Sequence, residues 1–167
     1  MIDAQRIIDM YQLVPLPEEG GYYRETYRSR EVLTVNQLPK RYPTDRVYYT
    51  SIYYLLTSKT KSFIHRIKSD EVFHFYSGDP VEILQLYPDG NGKIITLGNS
   101  LLDGDKFQQI LAHGVWMGMQ LKSGGEYALM GTSVTPGFEF EDFELGCRDK
   151  LIRRYPEFKN KITELTK

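Results

Sequence analysis

The segment FIHRIKSDEVFHFYSGD, residues Phe63 to Asp79, decides the fold of this chain. It consists of two short runs rich in aromatic and β-branched residues, which is typical of neighbouring strands. Because side chains alternate across a strand, His65 and Ile67 share one face, and Glu71 and Phe73 share one face of the second run. The segment therefore predicts two strands that carry a histidine and a glutamate as candidates for chemistry.

Runs of the same kind continue along most of the chain, which contains 13 tyrosines and 8 phenylalanines but only 1 tryptophan. They are YYRETYR (22–28), VYYTSIYYLL (47–56), FIHRI (63–67), VFHFYS (72–77), VEILQLY (81–87), KIITL (93–97), FQQIL (107–111), VWMGMQL (115–121) and YALMGTSV (127–134). Nine β-rich runs without an intervening long helix predict an all-β sandwich or barrel. A short helix capped by Asp3 precedes them, and apolar spacing around Leu151 and Ile162 predicts short helices after them.

Composition limits the possible partners and location. The 167 residues suit one domain spanning 1–167, and the single cysteine, Cys147, leaves no internal disulfide. A formal net charge of −1 gives no general attraction for nucleic acid or an anionic membrane, and no apolar run is long enough to span a bilayer. We therefore expect a cytoplasmic protein whose partner is a small molecule, with no nucleic acid and no membrane.

The spacing in the opening segment resembles the first motif of the cupin superfamily. That motif is a glycine, five residues, His-x-His, three or four residues, a glutamate, six residues and a glycine. This chain supplies His65, Ile67 in place of the second histidine, Glu71 and then Gly78. The second motif, Pro-x-Gly-x-x-His, is reduced to Ala-x-Gly-x-x-Met, with Met117 in place of the histidine.

Longer strings resemble one small, functionally uncharacterised branch of the cupins. They are GGYYRETYRS, HRIKSDEVFHFYSGDPVEILQLYPDG, GVWMGMQL, GGEYALMGTSVTPGFEFEDFELG and RYPEF, in this order along the chain. The resemblance implies a cupin jelly roll, or double-stranded β-helix, with short terminal helices, a pocket inside the barrel and a homodimer. The fold is also similar to that of the dTDP-sugar 3,5-epimerases, which use a histidine base, a tyrosine acid and a carboxylate that orients the histidine, without a metal.

By this resemblance and the alternation of side chains, we expect one acid–base site inside the pocket. The candidate catalytic residues are His65 as base, Glu71 as its carboxylate and Tyr127 as acid, and the candidate ligand-binding residues are Arg24, Glu25, Phe73, Met117 and Glu141. No metal and no other cofactor is expected, because a divalent cation needs three or four converging ligands and two of the motif positions hold isoleucine and methionine.

Three functions remain open at this stage. The first is a metal-independent epimerase or isomerase that acts on a sugar or nucleotide-sugar. The second is a noncatalytic protein that binds such a ligand, and the third is a metal-dependent cupin dioxygenase. A buried histidine–glutamate pair that only satisfies its own hydrogen bonds is the structural alternative to all three.

Overall fold

The computed structural model describes residues 3–167, which form thirteen strands and three α-helices. The strands are β1 Val14–Pro15, β2 Tyr22–Arg28, β3 Val32–Leu33, β4 Arg46–Val47, β5 Thr50–Thr57, β6 Ser62–Arg66, β7 Asp70–Gly78, β8 Val81–Leu86, β9 Gly92–Leu97, β10 Gln108–Leu111, β11 Trp116–Leu121, β12 Tyr127–Thr135 and β13 Glu144–Leu145. The helices are α1 Ala4–Tyr11, α2 Arg148–Arg154 and α3 Lys159–Glu164. All nine β-rich runs of the sequence contain a strand.

Two antiparallel sheets face each other as a jelly roll. One has the strand order β1-β2-β5-β12-β7-β10 and the other the order β13-β6-β11-β8-β9, while β3 and β4 form a separate ribbon. The opening segment supplies one strand to each sheet, because β6 and β7 lie on opposite layers. Within residues 3–167 the two sheets do not close into a barrel. The predicted pocket inside a barrel is therefore a cavity between two sheets.

Three apolar clusters hold the layers together. The largest lies between the sheets and includes Phe73 and Met117, both almost completely buried. Helices α2 and α3 pack on the outer face of the five-stranded sheet, where Ile64 and Ile162 are buried. Helix α1 packs on the outer face of the six-stranded sheet through Ile7. The terminal helices therefore cover the sheets from outside and leave the space between them free.

The N-terminal helix begins as its sequence indicates. The Asp3 side chain accepts a hydrogen bond of 2.8 Å from the backbone N–H of Arg6, which satisfies one free donor of the first turn. Within residues 3–167, no helix combines the length and the apolar character that crossing a bilayer requires.

A buried ion pair fixes the segment between β12 and β13 beside the cavity. Arg46 donates to both carboxylate oxygens of Asp142, at 2.7 and 2.6 Å, and both side chains are shielded from solvent. Asp142 belongs to a 3-10 turn, Phe140–Asp142, and the sequence around it places Phe138, Phe140 and Phe143 on the cavity wall. Because a bidentate Arg–carboxylate pair has one preferred geometry, it holds this aromatic wall in position.

Candidate functional site

A cavity of about 500 Å³ opens between the two sheets, and its wall is mostly aromatic and acidic. Its size is within the range of small-molecule sites. Strands β2, β5, β12 and β7 supply one wall, and β6 supplies His65 from the facing sheet. The remaining wall comes from the loop after α1 and from the segment held by Arg46 and Asp142. The cavity is therefore a place on this fold where a small molecule could bind.

Strand register arranges the wall of the six-stranded sheet in rows. Glu25 pairs with Ile52, Ile52 with Thr132 and Thr132 with Phe73, and all four line the cavity. Adjacent strands lie about 4.8 Å apart, so the Glu25 and Thr132 backbones are about 10 Å apart across the row. Glu71 lies two residues before Phe73 on β7 and belongs to the adjacent row, where it pairs with Val134 on β12.

His65 is buried and held in a defined tautomer. Its Nδ1 lies 2.8 Å from the backbone oxygen of Phe63. Because a carbonyl oxygen only accepts, Nδ1 carries the proton of the neutral ring and Nε2 keeps a lone pair. Nε2 faces Oε2 of Glu19 at 3.8 Å, and the ring stacks on Phe143 with centroids 5.1 Å apart. The imidazole therefore presents an available basic nitrogen beside a carboxylate.

Glu71 is buried in the same cavity, with 7 % of its surface exposed. Burial, and secondly the charge of Glu19, raise the pKa of Glu71 from 4.5 to about 8. No cation or hydrogen-bond donor among the described residues offsets these two effects. At neutral pH the group is therefore mainly a carboxylic acid, which can donate a proton.

The loop after α1 brings Glu19 to this pair. Glu18, Gly20 and Gly21 all have positive φ angles, which turns the chain sharply on both sides of Glu19. The backbone N–H of Phe63 donates to the Glu19 carbonyl at 2.7 Å, and Ser62 Oγ donates to Glu19 Oε1 at 3.1 Å. These two hydrogen bonds hold Glu19 against β6, next to His65.

Tyr54 forms the floor beside this loop. Its hydroxyl donates to the Gly20 carbonyl at 2.9 Å, and burial is the main cause that raises its pKa well above the ordinary value. A Cβ atom at Gly21 would lie 2.8 Å from the same hydroxyl oxygen, so only glycine fits there. Tyr54 therefore acts as a neutral donor that positions the loop.

The mouth of the cavity is bridged by charges. Arg28 on β2 contacts Glu25 at 2.9 Å and Glu139, on the opposite segment, at 2.6 Å. It also donates to the backbone oxygen of Phe138 at 3.3 Å. One guanidinium thus joins two walls and is fully engaged by carboxylates and a carbonyl.

One polar atom inside the cavity lacks a partner. Thr132 is 3 % exposed, lines the cavity and has no hydrogen bond to its Oγ1 among the described residues. A buried hydroxyl without a partner costs about 1–3 kcal/mol, so such groups are usually satisfied by protein, water or ligand. The Thr132 hydroxyl is shut off from solvent within the described residues, so its missing partner is a local cost in stability.

Strand alternation corrects two predicted site residues. Tyr23 and Glu25 face the cavity, so Arg24 between them faces outward and donates to the Gln12 side chain at 2.7 Å. Tyr127 likewise lies on the outer face of β12, against the cluster under α1. Neither side chain lines the cavity, whereas Tyr23 and Tyr54 do.

Two further predicted contacts lie outside the cavity wall. The 3-10 turn directs Glu141 outward, where it accepts a hydrogen bond from Thr44 and pairs with Arg46 at 2.8 Å. Met117 pairs in register with His65, but its side chain is packed in the core beneath the cavity. Of the predicted residues, His65, Glu71, Glu25 and Phe73 line the cavity together.

Sequence reasoning missed Glu19, Arg28, Tyr54 and Thr132. Tyr54 and Thr132 stand at alternate positions within runs that were recognised, but both faces of those runs carry aromatic or polar residues. Glu19 stands in a loop, LPEEGG, whose proline and glycines indicate a turn without indicating its direction. No local signal therefore distinguished these four from surface residues.

The positions of the usual cupin metal ligands do not fit a divalent cation. Ile67 lines the cavity beside His65, and Met117 lies opposite His65 on the adjacent strand. Within residues 3–167, no group of three or more His, Cys, Asp or Glu side chains is arranged to hold a metal ion. His74 does not replace a missing ligand, because it lies on the outer face of β7 and bonds Gln108 at 2.9 Å.

Two facing antiparallel sheets with the candidate site between them, and the first cupin motif running from β6 into β7, define a cupin. The profile of the cupin superfamily family DUF985 (Cupin_5) matches residues 5–146. The chain belongs to this family.

Two solved structures share the whole fold of this chain. The protein SO0799 of Shewanella oneidensis is 31 % identical, with a TM-score of 0.88 over 100 % of this chain and 99 % of that chain. A hypothetical protein of Leishmania major is 28 % identical, with a TM-score of 0.88 over 99 % of each chain. The uncharacterized yeast protein YML079W (Saccharomyces cerevisiae) is 29 % identical over 146 residues, 83 % of this chain and 72 % of the yeast protein. These relatives carry the fold without assigning a reaction.

Proposed function

We propose that the cavity binds a small molecule and transfers protons on it, as in a metal-independent isomerase or epimerase. The supporting observation is that one cavity contains two groups of opposite character. Nδ1 of His65 faces a backbone carbonyl, which leaves Nε2 as the basic nitrogen of the neutral imidazole, and Glu71 holds a proton because burial raises its pKa to about 8. Pairs of titratable groups whose surroundings separate their protonation states are the pattern of acid–base sites.

The reaction that suits this pair begins at a carbon next to a carbonyl group. Nε2 of His65 takes the proton from carbon, the C–H electron pair forms a carbon–carbon double bond, and Glu71 donates its proton to the carbonyl oxygen. Where the first carbon carries a hydroxyl group, His65 returns the proton to the former carbonyl carbon, and Glu71 recovers a proton from the hydroxyl on the carbon that was deprotonated first, which becomes the new carbonyl and completes an isomerisation. No oxidant or reductant is consumed.

Glu19 favours the intermediate of this sequence. Its Oε2 lies 3.8 Å from Nε2, so an imidazolium proton formed there points toward a carboxylate. Opposite charges stabilise each other strongly where water is scarce. The same charge opposes ionisation of Glu71, so one carboxylate supports both the base and the acid.

Solvent exchange tests the proposal whatever the product of the reaction is. The protein is incubated in deuterated buffer with a panel of aldoses, ketoses and amino sugars, and deuterium at carbon is followed by NMR. We expect exchange for at least one ligand that binds, and a loss of about 100-fold or more in His65→Asn, because general base catalysis contributes about that much. Glu126→Gln, an exposed glutamate outside the cavity, is the control.

The competing function is noncatalytic binding in the same cavity, which its size and its aromatic and acidic wall also suit. Ligands that bind without any exchange, or exchange that persists unchanged in His65→Asn, would decide for binding alone.

A further inference from the structure

The cavity wall is far more acidic than the chain as a whole. The protein has 21 basic and 22 acidic residues. The cavity, in contrast, is lined by five carboxylic side chains and one arginine, namely Glu18, Glu19, Glu25, Glu71, Glu139 and Arg28. A recess with low-dielectric walls concentrates the field of such groups. Even with Glu71 protonated, the interior therefore attracts cations and repels anions.

The arginine is already paired with acidic side chains of the wall. Two carboxylates and a backbone carbonyl, from Glu25, Glu139 and Phe138, already accept its hydrogen bonds. A phosphate or carboxylate that approached Arg28 would have to displace these acceptors beside the other acidic groups. The wall thus lacks the basic anchor that a nucleotide-sugar pyrophosphate requires.

Glu19 pairs with no lysine or arginine among the described residues. Its side chain is 15 % exposed, accepts a hydrogen bond from the Ser62 hydroxyl at 3.1 Å, interacts with the Tyr54 hydroxyl, and places Oε2 3.8 Å from Nε2 of His65. A partly buried carboxylate is strongly stabilised by a charged hydrogen-bond donor, and no lysine or arginine on the cavity wall provides one to Glu19.

A further feature of the wall suits an ammonium group. Aromatic rings surround the charged groups: Phe143 stacks on His65, and Phe138 and Phe140 meet edge to face at 5.2 Å. Aromatic faces attract organic cations, and more so where water is excluded. Acidic and aromatic side chains therefore stand together on one wall, as a ligand with an ammonium group and an apolar body requires.

We infer that the ligand of this cavity is a small organic cation, a protonated amine whose ammonium group pairs with Glu19 and whose body lies against the aromatic wall. The inference rests on the proposed function, because it takes the same cavity as the ligand site. It replaces the expected nucleotide-sugar with an amine-bearing ligand.

The test compares matched ligands that differ in charge. One set is glucosamine, N-acetylglucosamine and glucuronate, and the other is phenethylamine, phenethyl alcohol and phenylacetate. Affinities are measured by titration calorimetry at pH 7.5, and the methyl resonance of Thr132 reports binding inside the cavity. We expect the amine to bind at least about tenfold more tightly than its neutral partner in one set or both, and the anions not to bind.

Two variants test whether the charge of Glu19 is responsible for amine binding. Glu19→Gln should weaken amine binding about tenfold and leave the neutral partner unchanged, while Glu126→Gln should change neither. The inference is overturned if a neutral or anionic member binds as tightly as the amine in both sets, or if no amine shifts the Thr132 resonance at 20 mM. An amine affinity unchanged in folded Glu19→Gln would also overturn it.

These outcomes are separate from those of the proposed function. Amine binding without deuterium exchange would remove the proposed chemistry and keep the ligand class. Deuterium exchange into an anionic or neutral substrate, with no amine bound, would do the reverse.

Discussion

Replacing Glu71 with glutamine should remove a large pH dependence of stability. In the unfolded chain Glu71 has its ordinary pKa of 4.5, whereas burial raises it to about 8 in the folded protein. Below pH 4.5 both states hold the proton, so the group causes no pH dependence there. Between pH 4.5 and 8 the folded protein holds a proton that the unfolded chain has lost. The free energy of unfolding therefore falls as pH rises, and above pH 8 the loss is complete.

The expected magnitude follows from these two values. A change in pKa from 4.5 to about 8 corresponds to about 5 kcal/mol in total, approached with a slope of about 1.4 kcal/mol per pH unit. Glutamine has nearly the shape of the protonated acid and does not titrate. Glu71→Gln should therefore match the wild-type protein near pH 4.5 and exceed its stability by about 4 kcal/mol at pH 7.5.

Urea unfolding followed by the fluorescence of Trp116, the only tryptophan, measures this difference from pH 4.5 to 8.5. Comparison with the wild-type protein at each pH cancels all other titrating groups, and Glu126→Gln provides an exposed control. A constant difference between Glu71→Gln and wild type across this range would refute the assignment of Glu71 as a buried acid. The proposed acid role would then be lost with it.

Two further predictions concern residues around the cavity. Thr132→Val replaces an unpartnered buried hydroxyl with a methyl group, so it should raise the free energy of unfolding by about 1 kcal/mol in urea. A destabilised variant would contradict the unpartnered state. Arg46→Met leaves the buried Asp142 carboxylate with only Lys68, at 3.6 Å, and should lower the free energy of unfolding by about 3 kcal/mol in urea, with faster hydrogen exchange across residues 138–143. Arg153→Met, at an exposed helix position, is the control, and equal stability of the two variants would count against the anchoring role.

The strand pattern around the opening segment was predictable because it is local. Alternation from His65 to Ile67 and from Glu71 to Phe73 requires only that each run be extended, and all four side chains line the cavity. Strand alternation also places Arg24 and Glu25 on opposite faces of β2, but it does not indicate which of the two faces the cavity. Both faces of YYRETYR contain a tyrosine and a charged residue, so burial of one face is decided by the sheet that packs against it.

The residues that give the cavity its chemistry meet only in the folded chain. Glu19 stands 46 positions before His65, and it reaches the imidazole through a loop of positive φ angles tied to Phe63. Arg28 pairs with Glu139, which is more than a hundred residues away in the sequence. Tyr54 is held in the cavity wall by the hydrogen bond from its hydroxyl to the Gly20 carbonyl. No spacing along the sequence encodes these contacts.

The amino-acid sequence by itself determined the strands, the terminal helices, the cupin resemblance and the inward-facing positions of His65 and Glu71, because these follow from local periodicity and spacing; the carboxylate nearest the imidazole is Glu19 and not the predicted Glu71. Tertiary structure alone decided that the sheets stay separate, that Tyr54 and not Tyr127 lines the cavity, and that carboxylates outnumber cations there. The physical reason is that burial and charge depend on which distant segments meet, and those contacts set both the proton on Glu71 and the field around Glu19.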